Sequence, residues 1–137
     1  MHDATHFRVE VELPKAAALV KDTSDALVQT TGLGAGAGFR AWDASGEVTV
    51  TGAAIAADHP ASNAAYSGTI ELTFSSAPDE ASLRVVYATR APDGSGPGQG
   101  GLGGSVFGPR GLFRADDGVS VPGLTAPTHS WLQPFEV

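Results

Sequence analysis

Apolar and polar residues alternate in several short runs along the chain, the pattern of strands with one buried face. Phe7, Val9, Val11 and Leu13 alternate with Arg8, Glu10 and Glu12. Val48 and Val50 alternate with Glu47, Thr49 and Thr51, and Ile70, Leu72 and Phe74 with Thr69, Glu71 and Thr73. Successive side chains on a strand point to opposite sides, so each run gathers its apolar set on one face. Leu83, Val85 and Tyr87 share a face, but Val86 on the other is also apolar, which predicts a strand that is central or covered on both sides. Phe7, Val9, Val11, Ile70, Leu72, Phe74, Leu83 and Val85 are expected to meet in one core.

Turn residues divide these runs. Pro14 has no N–H to give a ladder and ends the first strand. Segment 15–30 leaves two readings open. Its alanines, with Val20 and Leu27 on one side, fit a helix; Asp22-Thr23-Ser24-Asp25 fits a turn between two short strands. Arg40–Asp43, Ala44-Ser45-Gly46 and Glu47–Thr51 predict a hairpin in which Gly46 supplies a positive φ. Residues 53–67, with His59-Pro60 and Ser62-Asn63, read as a loop, and Pro78-Asp79-Glu80 as a turn. Residues 91–104 are of low complexity, and seven of the twelve residues 93–104 are Gly. Ordering such a backbone costs ~1–2 kcal/mol per residue with little apolar area to offset it, which predicts a mobile Gly-rich loop. Short apolar pieces follow at Val106-Phe107, Leu112-Phe113, Val119–Val121 and Trp131–Val137, with a turn signal at Asp117-Gly118. Trp131, Phe135 and Val137 would form the inner face of a last strand, which Pro134 places at a sheet edge. Short strands punctuated about every ten residues predict one all-β domain over 1–137, a sandwich of about seven strands.

Composition narrows this further. Gly (18) and Pro (9) make up near one fifth of the 137 residues, where ~12% is usual. Leu, Ile, Val and Phe number 30, just above the ~20% below which chains tend to stay unfolded, so the core is small. Charged residues are 17%, too few for a coiled coil or a charged disordered tail. The net charge is −7, and the eight basic residues are scattered singly from Arg8 to Arg114. Phosphate backbones and anionic bilayers both call for clustered Lys and Arg, so neither nucleic acid nor a membrane surface is an expected partner. No apolar run approaches the ~18 residues of a membrane span. There is no Cys, hence no disulfide and no thiolate metal site. Met1-His2-Asp3-Ala4 has no basic region and no apolar run behind it. The expectation is therefore a cytoplasmic chain, or a mature domain carrying an added start Met.

Three stretches carry a family likeness: RAWDASGEVTVTGAA (40–54), a strand, an Asp-x-x-Gly turn and a strand; SGTIELTF (67–74), a Gly-initiated strand; and SLRVVYATRAPDGS (82–95), a strand ending in an Asp-Gly-Ser turn. In this order, residues 38–95 resemble the immunoglobulin-like domain associated with spore-germination proteins, which also occurs in other bacterial envelope proteins. Val119-Ser120-Val121-Pro122 matches its closing strand. The Gly-rich insert and the tail from Leu124 have no counterpart in it. The resemblance implies an immunoglobulin-like sandwich, an extracytoplasmic location and a non-catalytic role, with no catalytic residues to carry over.

Candidate chemistry is sparse. Gly98-Gln99-Gly100-Gly101-Leu102-Gly103 spells G-x-G-x-x-G, but no helix-forming sequence follows to hold a pyrophosphate. Gly32, Gly34, Gly36 and Gly38 likewise lead into a predicted strand and read as a loop. His2 and His6 stand four apart and, with Asp3, would hold Zn or Cu only on a helix, whereas the strand pattern begins at Phe7. His59 reads as a solvent-exposed loop residue. His129-Ser130 would point to opposite faces of a strand and form no nucleophile–base pair. Asp116 and Asp117 with Asp93 lack the ligand ladder of a calcium loop. Trp42 and Trp131 read as packing residues, with a ligand platform as the alternative. The expectation is a non-enzymatic immunoglobulin-like binding or accessory module of a bacterial envelope protein. It has no cofactor and no metal, and its partner is a protein, a cell-envelope polymer or a second copy of itself. The rival is a self-assembling structural subunit, such as a phage or surface-appendage component.

Overall fold

The computed structural model describes residues 4–13, 18–23, 35–56, 67–88, 111–116, 118, 120, 122–123, 132 and 135–137. Within them the alternating runs become strands: β1 (His6–Glu12), β2 (Leu19–Lys21), β3 (Phe39–Asp43), β4 (Gly46–Val48), β5 (Val50–Ile55), β6 (Ser67–Phe74), β7 (Arg84–Tyr87), β8 (Phe113–Ala115) and β9 (Phe135–Glu136). No helix occurs among the described residues. The strands form three antiparallel sheets, ordered β1-β6-β5, β2-β8 and β4-β3-β7-β9. The chain is all-β, and the arrangement is consistent with a sandwich. Nine strands lie among the described residues, several of them only two or three residues long.

Side chains from all three sheets share one core. Val9, Val11, Ile70, Leu72 and Phe74 meet Leu19, Phe113, Phe39, Val48, Val85 and Tyr87. Phe7 and Leu83, also expected in the core, are partly buried against it. β6 shows the strict alternation of a strand with one wet face. β7 lies between β3 and β9, and Val86 is 1% exposed on the side opposite Val85, as expected for a central strand.

The hairpin at Asp43–Gly46 forms as expected, with Gly46 at φ 128°. The strand read as Glu47–Thr51 does not form as one strand. It divides at Thr49: β4 pairs with β3, while β5 pairs with β6 in another sheet, with a bulge between Val50 and Gly52. The Thr49 carbonyl accepts the Ser75 N–H at 3.0 Å at the crossing point. Residues 53–55, expected in a loop, continue β5, and Ala53 and Ala56 are buried. The side-chain pattern 53–56 is too small to signal a strand, but β2 packs there, with Lys21 Nζ donating to the Ala53 carbonyl at 2.6 Å.

Of segment 15–30, residues 19–21 are a strand paired with β8 and Asp22 follows it directly; 15–17 and 24–30 lie outside the described residues. Gly36 and Gly38 belong to the turn that leads into β3, as read, and Phe39 N–H bonds to the Gly36 carbonyl at 2.8 Å. β9 is an edge strand of the four-stranded sheet. Phe135 faces inward, but Val137, expected on the inner face, ends the ladder and is 57% exposed. Ser120 lies outside any strand, so the described residues give no closing strand at Val119–Pro122. The Gly-rich loop 93–104 lies outside the described residues, as do Pro14, Val106-Phe107, Asp117 and Trp131.

Candidate binding face of the four-stranded sheet

Alternation along β3 sends Phe39 and Ala41 into the core and leaves Arg40 and Trp42 on the opposite face. The register places Glu47 and Arg84 on either side of Trp42, and Val86 beside Arg40 with Glu136 beyond it. The outward face of β4-β3-β7-β9 therefore carries one aromatic ring, two guanidinium groups and two carboxylates over an apolar Val86.

These groups order one another. The Arg40 guanidinium lies over the Trp42 ring, 4.6 Å from its centroid, an arrangement favoured by the ring's negative face. The same guanidinium forks onto Glu47, with Nε to Oε1 at 3.0 Å and Nη2 to Oε2 at 3.2 Å. Arg84 binds Glu136 through Nε and Nη2, tying β7 to the edge strand. Opposite charges cancel within the face, and both pairs stand at its wet rim. Trp42 is partly buried, with Arg40 over its ring, and is not among the residues that pack against the inter-sheet core, where a packing Trp was expected.

Asp43, next along β3, fixes the end of this face. Its Oδ1 accepts the Ser45 N–H at 2.8 Å and the Ser45 hydroxyl at 2.5 Å, and its Oδ2 accepts the Asp79 N–H at 3.0 Å. Ser82 returns the tie, accepting the Ala44 N–H at 2.9 Å and donating to Asp79 Oδ2 at 2.7 Å. The hairpin turn and the 78–82 turn are thus laced together. The Ser45 hydroxyl, then the Asp79 and Ser45 N–H groups, hold the Asp43 carboxyl below its usual range.

Beside this face a groove of about 320 Å³ opens between the 35–38 turn and the β4–β5 corner, lined by Phe39, Val48 and Val50 with Arg40 and Glu47. Arg40 therefore contributes to the groove and to the Trp42 face together.

The other sequence candidates do not converge here. His6 sits on strand β1, where its Nδ1 and the Thr5 hydroxyl lie 3.3 Å apart. Asp116 lies 3.5 Å from Arg114, which also binds Asp22 at 2.7 Å. Among the described residues no group of three His, Asp or Glu is placed to hold a metal ion. His2, Asp3, His59, Asp93, Gly98–Gly103, Asp117, His129, Ser130 and Trp131 lie outside the described residues. No described helix is long and apolar enough to cross a membrane. Sequence reasoning missed the pairing of Arg40 and Glu47 around Trp42, although the hairpin it predicted already sets these three side chains on one face. Comparison with family models, curated proteins and solved structures gives no match for this chain.

Proposed function

We propose that this chain is a non-enzymatic, immunoglobulin-like binding module of a bacterial envelope protein, and that it engages an envelope polymer through the Trp42 face. The observation that carries the reading is the Arg40–Trp42–Glu47 arrangement beside a shallow groove. An aromatic ring flanked by fork-shaped donors and acceptors on a flat, charge-balanced surface suits a ligand that offers both apolar faces and hydrogen-bonding groups, as sugar rings and peptide stems do. The likeness of residues 38–95 to the germination-associated envelope domain supports the same reading, as does the all-β fold. The low net charge of the face fits a polymer that is not a dense polyanion.

Sedimentation with purified peptidoglycan sacculi tests it. The chain is expected to pellet with the sacculi, and Trp42→Ala, with unchanged far-ultraviolet circular dichroism, is expected to weaken retention at least ~10-fold, the loss of about one hot-spot aromatic. Absence of retention by the parent chain, or retention indifferent to Trp42→Ala, overturns the reading.

A further inference from the structure

The three-stranded sheet ends differently on its two sides. β5 closes one edge: a bulge interrupts it between Val50 and Gly52, and the Lys21 ammonium donates to its Ala53 carbonyl at 2.6 Å. Bulges and lysines are common means of keeping a sheet edge from pairing further. β1 borders the other side among the described residues, and it runs from His6 to Glu12 without a register shift.

The ladder fixes which groups of β1 face outward. The Phe74 N–H donates to the Thr5 carbonyl at 2.9 Å, one step before the His6–Thr73 pair. Hydrogen-bonded and non-hydrogen-bonded pairs alternate along an antiparallel ladder. Phe7, Val9 and Val11 therefore bond to β6, while His6, Arg8, Glu10 and Glu12 turn their N–H and C=O groups away from it. Glu10 and Glu12 are exposed, and among the described residues neither carboxylate has a hydrogen-bond or ion-pair partner. They stand on the same face as Arg8, whose side chain is 30% exposed and holds Glu71 through Nε at 3.0 Å.

These charges are self-complementary in one register. A second β1 laid antiparallel must match even-numbered residues with even-numbered ones, because those offer the outward backbone groups. Centred on Val9, it sets Arg8 opposite Glu10 of the second copy and His6 opposite its Glu12, and the same two pairs again in reverse. Centring on Glu10 sets Glu10 against Glu10, and centring on Arg8 sets Arg8 against Arg8; like charges directly opposite are destabilising. On the inner face the Val9-centred register brings Val9 to Val9 and Phe7 to Val11.

We propose that β1 is a self-association edge whose occupant is β1 of a second copy, in the Val9-centred antiparallel register. The pairing is β-augmentation: outward backbone groups of His6, Arg8, Glu10 and Glu12 give the ladder, and Arg8 bridges its own Glu71 and Glu10 of the second copy. Two three-stranded sheets then join into one. The contact is two-fold and closed, so association ends at a dimer. Contact along one strand falls well below the ~20–30 residues a side of a stable interface, so the dimer is weak, with a Kd of about 10⁻⁴ M. Trp42 lies in the other sheet, and the polymer reading and this one stand or fall separately.

Sedimentation equilibrium of the full chain tests it. Between about 10 μM and 1 mM, a span around that Kd, the parent chain is expected to pass from monomer to dimer with no larger species. Glu10→Lys faces a cation with Arg8 at both symmetry-related pairs and is expected to raise the Kd at least ~10-fold. Glu80→Lys makes the same change of net charge on the exposed 78–82 turn and is expected to leave the Kd within about 2-fold, because exposed charges farther apart than a Debye length are screened. Glu10→Pro removes an N–H that β6 does not use. With unchanged far-ultraviolet circular dichroism, it is expected to abolish the dimer. A parent chain that stays monomeric at the highest concentration overturns the proposal. So does a dimer that Glu10→Lys leaves intact, one that Glu80→Lys weakens equally, or a folded Glu10→Pro chain that still dimerises.

Discussion

Gly111→Ala is expected to be among the most damaging single-methyl additions in this chain. A Cβ at Gly111 falls inside the Tyr87 phenol, overlapping its hydroxyl, Cζ and Cε2. The ring has nowhere to go. Tyr87 is fully buried, its centroid lies 4.5 Å from Phe39, 5.6 Å from Phe135 and 6.3 Å from Phe113, and its hydroxyl accepts the Phe113 N–H at 3.1 Å. Overpacking of a full core costs ~1–3 kcal/mol. Displacing the ring also strips the buried Phe113 N–H of its acceptor, a further ~1–3 kcal/mol. With partial relaxation the expected loss is about 3–5 kcal/mol, set against the ~5–15 kcal/mol of a typical domain. Urea unfolding followed by far-ultraviolet circular dichroism reads this directly. At a slope of ~1–3 kcal/mol/M the midpoint should fall by roughly 2 M. A double-mutant cycle identifies the cause. Tyr87→Leu removes the outer ring, so Gly111→Ala added to it should cost under ~1 kcal/mol, leaving a coupling of at least ~2 kcal/mol. Tyr87→Phe keeps Cζ and Cε2 and should give little relief, which separates the clash from the hydrogen bond. A Gly111→Ala chain within ~0.5 kcal/mol of the parent, or an equal cost in the Tyr87→Leu background, refutes the reasoning.

Two further perturbations test the polar ties. Arg114 and Asp22 join β8 to the end of β2 with side chains only 13% and 12% exposed. Arg114→Met is expected to cost ~2–4 kcal/mol in the same urea assay, and the double change Asp22→Leu/Arg114→Met less than the single, because the single takes a cationic partner from a largely buried carboxylate. Asp43 has its folded-state pKa lowered, first by the Ser45 hydroxyl. Its contribution to stability is therefore present above the unfolded value of ~3.9 and is lost as pH falls through the lower folded value. The gap in urea midpoint between the parent and Asp43→Asn should be widest at neutral pH and narrow by pH 3. A gap that is constant or grows on acidification contradicts the hydrogen-bond pattern around this carboxylate.

The strands that read most clearly are those where one face is wet and the other dry. Along β1 and β6 the apolar members Val9, Val11, Ile70, Leu72 and Phe74 are buried, and their neighbours carry the polar face, including the Arg8–Glu71 pair at 3.0 Å. The break at Thr49 was illegible for a physical reason. Val48 and Val50 belong to different sheets, yet both turn toward the same inter-sheet core, so the period of two runs through the crossing unbroken. β2 and β8 were hard to read because three residues are too short a window for periodicity. What joins them is a pair of residues far apart in sequence, Asp22 and Arg114. Pairing partners such as β1 with β6 and β3 with β7 carry no turn signal between them, unlike the Asp43–Gly46 hairpin.

The candidate face was legible only in its parts. Arg40, Trp42 and Glu47 fall within the hairpin that the sequence marks, and two-residue spacing already puts Arg40 and Trp42 on one side. Their outward direction follows only once Phe39 and Ala41 are known to be buried, because an aromatic such as Trp biases any sequence reading toward the core. Arg84 and Glu136 join the face through β7 and β9, strands separated by residues 88–134, so no local pattern announces them. The same nonlocality makes β9 informative. Phe135 stacks on Tyr87, and the backbones of Val137 and Leu132 bond to Val85 and Phe113, contacts that bear no relation to distance in sequence. A candidate face built by cross-strand register and an edge closed by β9 are both products of topology. Each is accordingly sensitive to a substitution at a remote position, Arg84 for the first and Tyr87 for the second, as much as to changes within the segment itself.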